Sequence, residues 1–118
     1  MGGSSDPRPA PNRGRRRDDG ASSDPCDFDL EIDLVGLQPS TAASLRSGDL
    51  LIVDLAPMPP AVSVVCRTSA GDVVGALSAF LGLTQMIACL RKGVDYRAMV
   101  ISASSTRCTV VVRQAGMF

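Results

Sequence analysis

From Asp27 to Leu34 acidic and apolar residues alternate without a fault, with Phe28, Leu30, Ile32 and Leu34 interleaved by Asp27, Asp29, Glu31 and Asp33. Successive side chains of a strand point to opposite faces, so this period of two predicts a half-buried strand over 27–34 with a solvated acidic face. Residues 36–48 read as a turn and a short helix over 40–46, with Ser40 as its N-cap. The run DLLIVDL at 49–55 is almost wholly apolar, as a central strand is, and Pro57, Pro59 and Pro60 are expected to stop it. Two further β-rich runs, 61–67 and 72–77, meet at Ser69-Ala70-Gly71-Asp72, which has the Gly and Asp of a hairpin turn.

A period near 3.6 follows. Phe80, Leu83, Ile87 and Leu90 form one apolar stripe bordered by Leu81 and Met86, which predicts the main helix over 78–92. Arg91 and Lys92 sit where the helix dipole favours cations, and Gly93 follows as a C-cap. Residues 96–103 and 107–113 read as a hairpin around Ser104-Ser105-Thr106. The fold class is therefore α+β: a small, strongly bent antiparallel sheet or barrel of about six strands, with the main helix (78–92) across its opening and the short helix at 40–46.

With 118 residues, the chain suits a single domain. Residues 1–26 are built from Gly, Ser, Pro, Asp and Arg and bury too little to offset the entropy of ordering, so a disordered tail is expected there and one domain over 27–116. The tail carries a basic cluster, Arg13, Arg15, Arg16 and Arg17. No apolar run is long enough to span a bilayer and no signal-peptide centre is present, which predicts a cytoplasmic chain without membrane contact.

The chemistry is sparse. The chain has no His, the commonest general base and metal ligand. Cys26, Cys66, Cys89 and Cys108 form no C-x-x-C pair, so neither a metal site nor a redox motif is expected. Cys66, Cys89 and Cys108 adjoin apolar runs and read as buried, inert thiols, with Cys26 exposed in the tail. Asp49, Asp54, Asp72 and Asp95 are the folded-part carboxylates outside the acidic strand, and turns explain Asp49, Asp72 and Asp95 better than catalysis does. Gly71-x-x-x-Gly75 lies on a strand and is no phosphate loop. No catalytic residue, no metal, no cofactor and no enzymatic activity is expected.

From Leu45 onward the run LRSGDLLIVDL, then AVSVV, GDVVGAL, CLRKG and YRAMV resembles a HIRAN domain, the small β-barrel module attached to some DNA-repair helicases and also found alone in bacteria. The positions carrying the likeness, among them Gly48, Leu51, Val53, Val64, Gly71, Gly75, Leu90 and Gly93, are core and turn positions. The resemblance implies a stand-alone module that binds single-stranded DNA or a DNA end. HIRAN domains usually carry a polar Asn-Pro-Tyr-Asp-like segment for that purpose between the second and third strands. Here the segment is Ala56-Pro57-Met58-Pro59-Pro60, so those binding residues do not transfer.

Two partner classes follow for a non-enzymatic binding module. In the first, Arg67, Arg91, Lys92 and Arg97 contact nucleic-acid phosphates. Exposed aromatic rings for base stacking are few: Phe28 and Phe80 read as core, leaving Tyr96 and Phe118. In the second, a protein partner docks on a sheet edge or on the 56–60 loop through Pro57, Met58, Pro59 and Pro60. The sequence leaves the oligomeric state open.

Overall fold

A computed structural model describes residues 24–58 and 61–118. The expected disorder of residues 1–23 falls outside the described residues. Eight elements follow in chain order: β1 (Asp29–Val35), α1 (Pro39–Ala43), β2 (Leu50–Met58), β3 (Ala61–Arg67), β4 (Val73–Leu77), α2 (Leu83–Arg91), β5 (Tyr96–Ala103) and β6 (Cys108–Gln114). The six strands form a closed antiparallel barrel in the order β1-β4-β3-β2-β5-β6. The expected bent sheet therefore closes completely.

Alternation sets what the barrel encloses. Leu34, Leu51, Val53, Val64, Val100 and Val112 point inward and are buried, while Asp29 and Glu31 of β1 face solvent. The acidic face is partly neutralised by its neighbour β6 and by Arg107 just before it. Asp33 accepts a 2.6 Å hydrogen bond from the Thr109 hydroxyl and pairs with Arg107 at 3.2 Å, and Asp29 pairs with Arg113 at 3.0 Å. The Thr109 hydrogen bond, aided by Arg107, holds the Asp33 carboxyl below the ordinary aspartate range against the desolvation of its site.

Several boundaries differ from the sequence expectation. The short helix is Pro39–Ala43 rather than 40–46; Gln38 is its N-cap, and Pro39 sits at the first helical position, where a missing N–H is harmless. β2 does not stop before Pro57 but runs through it to Met58. The main helix is Leu83–Arg91 rather than 78–92. Gly82 has φ 102, outside the right-handed helical region, and it separates residues 78–81 from the helix. Ser78, expected to begin the helix, donates its hydroxyl to the Asp33 carbonyl at 3.1 Å, and the Phe80 ring meets Phe28 edge-on at 6.2 Å. The centre of the buried stripe consequently shifts to Met86 and Cys89, flanked by half-buried Leu83, Ile87 and Leu90.

That shift bears on the cysteines. Cys26 and Cys89 form a disulfide across 63 residues of sequence, with Cα atoms 5.7 Å apart. The expected inert thiol at 89 and exposed thiol at 26 are both corrected: each is buried, and each is oxidised. Cys66 and Cys108 are free and buried as expected. Burial, aided by nearby Cys108, pushes the Cys66 thiol up to about 12.

Tyr96 is likewise no surface ring. It is fully buried, stacks edge-on against Phe28 at 5.9 Å, and donates its hydroxyl to the Cys26 carbonyl. The Gln114 amide donates to the same carbonyl at 2.9 Å. These contacts fasten the segment before β1 to the barrel end at which β4 hands over to α2 and α2 to β5.

Candidate binding groove and arginine row

Two places on the outer surface bear on binding. The first follows from incomplete pairing around the barrel. β1 and β4 meet only at Leu34↔Leu77 and Val35↔Ala76. β3 meets β4 only from Val65 onward, and β2 meets β5 only at residues 50–52. The far half of the β2–β3 hairpin therefore runs past both neighbours as a two-stranded ribbon, with Pro57↔Val62 and Ala56↔Ser63 paired along it.

Between that ribbon and the β1–β4 seam lies a groove of about 530 Å³. Val35, Val65, Val73 and Leu77 supply apolar walls, while Gly36, Gly75, Ala56 and Ala76 leave room by their small size. No lining residue is charged, and Ser63 is the one hydroxyl. Residues 61–64 of β3 border the groove and have a β-partner on the β2 side only. The opposite margin of the ribbon is blunted: the Leu55 amide donates to its neighbour's carboxylate, Asp54 Oδ1, at 2.8 Å, and Pro57, two residues on, has no amide hydrogen.

Of the expected protein-docking residues, Pro57 lines this groove and Met58 ends β2, whereas Pro59 and Pro60 lie outside the described residues. The barrel closes, yet strand stretches with a partner on one side remain, among them residues 61–64 of β3 and the parts of β1 and β4 beyond their two shared pairs. Sequence reasoning missed Val35, Ser63, Val65 and Ala76 as groove residues, since nothing local marks positions that meet only through the register of four strands.

The second place is a transverse row on the outside of the barrel. The registers align Asp29, Arg113, Arg97, Ile52, Arg67 and Val73 across β1, β6, β5, β2, β3 and β4. Two of the expected phosphate contacts, Arg67 and Arg97, thus flank Ile52 at a spacing of roughly 10 Å, twice the interstrand distance. Arg67 is engaged by Asp54 at 3.4 Å and Arg113 by Asp29, with the Arg113 guanidinium 5.4 Å from the Phe118 ring centre. Arg97 donates to the Tyr96 carbonyl at 3.0 Å and has no carboxylate partner among the described residues. Arg91 and Lys92 are exposed at the C-terminal end of α2 and belong to no strand of the row. From Asp24 to Phe118 the chain holds seven basic and nine acidic residues, so the described part carries a net charge of −2.

The carboxylates set aside above occupy local roles. Asp49 Oδ2 accepts from the Arg46 amide at 2.9 Å, and Asp72 sits in the hairpin turn with its amide on the Thr68 hydroxyl at 3.2 Å. Among the described residues no group of three or more His, Cys, Asp or Glu gathers where a metal ion could be held. No described helix is long and apolar enough to cross a membrane. Compared with family models, with curated proteins and with solved structures, the chain finds no match.

Proposed function

We propose that the protein is a non-enzymatic binding module that takes an extended, uncharged, apolar segment of a protein partner into the groove beside β3. The observation that carries this reading is the coincidence of an uncharged groove of about 530 Å³ with a stretch of β3, residues 61–64, that is paired on one side only. A strand laid there draws affinity from backbone hydrogen bonds and selectivity from alternate side chains entering the groove.

The test is a randomised peptide display against the full chain, followed by anisotropy titrations of the enriched peptides. Ser63→Arg and Ala56→Arg each place a cation in the groove from the ribbon, where no further strand is disturbed. Binding is expected to weaken at least tenfold in either variant, about 1.4 kcal/mol or more. Enriched peptides that bind both variants as tightly as the unmodified chain overturn the reading.

A second reading, single-stranded nucleic acid, is favoured by Arg97, which has no carboxylate partner among the described residues and stands in one row with Arg67 and Arg113. It accords with the resemblance to HIRAN domains. The net charge of −2 over the described residues and the burial of Tyr96 weigh against it, because such binders present a basic face and exposed rings. Binding of a labelled oligonucleotide that falls steeply with salt and is lost in Arg67→Ala/Arg97→Ala supports this second reading; no binding at low salt removes it.

A further inference from the structure

We infer that the chain forms a twofold dimer through the outer face of β6, β5 and β2, with Arg97 of each copy paired to Glu31 of the partner subunit. The centre of this face is apolar. The strand registers lay out two rows across it: Glu31, Val111, Met99 and Leu50 in one, and Asp29, Arg113, Arg97 and Ile52 in the other. Leu50 is 52% exposed and Ile52 37%, and Ile101, displaced by the bulge after Val100, is as open as Ile52. Met99 and Val111 continue the Leu50 row as half-buried side chains, and the Phe118 ring covers the Arg113 guanidinium at the margin. Apolar side chains gathered in this way on an outer face mark an interaction surface, because the centre of an interface is apolar and poor in charge.

The charges bordering the face decide which partner covers it. Arg97 stands opposite Arg113, a like charge already engaged by Asp29 at 3.0 Å, and Arg97 itself donates to the Tyr96 carbonyl and has no carboxylate partner among the described residues. Glu31 is exposed, has Asp29 and Asp33 two residues to either side on its strand, and forms no ion pair among the described residues. Like charges side by side on a sheet are destabilising, so each of these two groups is left to gain from an opposite charge outside the chain. They stand at opposite corners of the Val111–Met99 centre, two strands and two residues apart, a separation of roughly 12 Å. A face that carries both members of a pair is complementary to itself. A twofold axis lying along the face midway between them sets Arg97 over Glu31 of the partner subunit, makes that pair twice, and brings Met99 of each copy towards Val111 of the partner subunit, which is an isologous contact. An unrelated protein has to supply both charges at this spacing, whereas a second copy already carries them. The groove beside β3 opens at the β1–β4 seam, and β4 lies three strands from β5 in either direction around the barrel, so both copies keep it open.

The experiment is sedimentation velocity on the full chain over a concentration series, with far-ultraviolet circular dichroism to confirm that each variant keeps its fold. The unmodified chain is expected to show a reversible monomer–dimer equilibrium. Arg97→Glu sets two carboxylates against each other at both pairs, and Glu31→Arg sets two guanidinium groups there, so each variant alone is expected to raise the dissociation constant at least tenfold. Mixing the two variants restores an opposite charge at both pairs of a heterodimer, and that heterodimer is expected to form within threefold of the unmodified affinity. Leu50→Lys, at a side chain that is half exposed and outside the charge pair, tests the apolar part of the face separately and is also expected to weaken the dimer at least tenfold. A chain that stays monomeric at every concentration, including one that binds only foreign proteins through this face, overturns the inference. A dimer indifferent to both charge reversals or to Leu50→Lys overturns it too, as does a mixture of the two folded charge variants that associates no better than either alone.

Discussion

Gly75 offers the sharpest test of how the barrel closes. It lies on β4 opposite Cys66, and its φ is not positive, so alanine meets no backbone penalty there. On backbone grounds alone Gly75→Ala would stabilise the fold by about 0.4–1 kcal/mol, because the unfolded chain loses freedom. Space decides otherwise. A Cβ at this position comes 2.9 Å from the Val35 carbonyl oxygen, 3.1 Å from Leu37 Cδ2 and 3.3 Å from Leu34 Cβ. The nearest of these is backbone, and it belongs to the β1–β4 seam, which is held by two residue pairs. Overpacking of this kind costs about 1–3 kcal/mol, so the net expectation is a loss of about 1–2 kcal/mol. Urea unfolding followed by far-ultraviolet dichroism should show a lower midpoint with an unchanged slope, and thermal unfolding a fall of roughly 4–8 °C for each kcal/mol. A midpoint equal to or above that of the unmodified chain refutes the tight seam and, with it, the account of how the groove wall is fixed.

Two further perturbations read individual groups. Burial pushes the Tyr96 hydroxyl up to about 12, aided by nearby Asp24 and Asp27, so the unfolded chain loses this proton first. Stability is then fully present below pH 10 and falls as pH rises through the folded value; Tyr96→Phe should flatten that fall in alkaline unfolding curves, leaving the contributions of the buried Cys66 and Cys108 thiols, and an unchanged slope refutes the assignment. Asp33 is the opposite case, a carboxyl held low by Thr109 and Arg107, so its contribution is lost as pH falls through the folded value. Thr109→Val should move the Asp33 titration, followed by carboxyl NMR, upward, and an unmoved titration removes Thr109 as the cause.

What the sequence made legible was whatever is written locally. The alternation at β1, the apolar run of β2 and the hairpin turns at 69–72 and 104–106 each encode their own conformation. The start of α2 lies later than expected because the apolar stripe reaches back to Phe80, whereas the Phe80 ring packs on Phe28 and the Ser78 hydroxyl serves the Asp33 carbonyl, 45 residues away, partners no local pattern names. The disulfide was missed for the same reason, since a separation of 63 residues carries no geometric signal and Cys26 sits in a stretch with little to bury. Arg67 and Arg97 were selected as isolated cations, and only the registers through Ile52 place them together. The groove was half legible: Pro57 could be selected from the 56–60 segment, whereas Val35 and Ala76 become neighbours only when the barrel closes.

The cross-link at Cys26 also has a topological meaning. It turns residues 26–89 into a covalent ring containing β1 to β4, α1 and most of α2, and of the described strands it leaves β5 and β6 outside that ring. Those two strands fill the gap between β2 and β1, so the C-terminal hairpin is the keystone of the molecule. A ring lacking it has two bare margins, β1 on one side and β2 on the other, each a template for association with other chains.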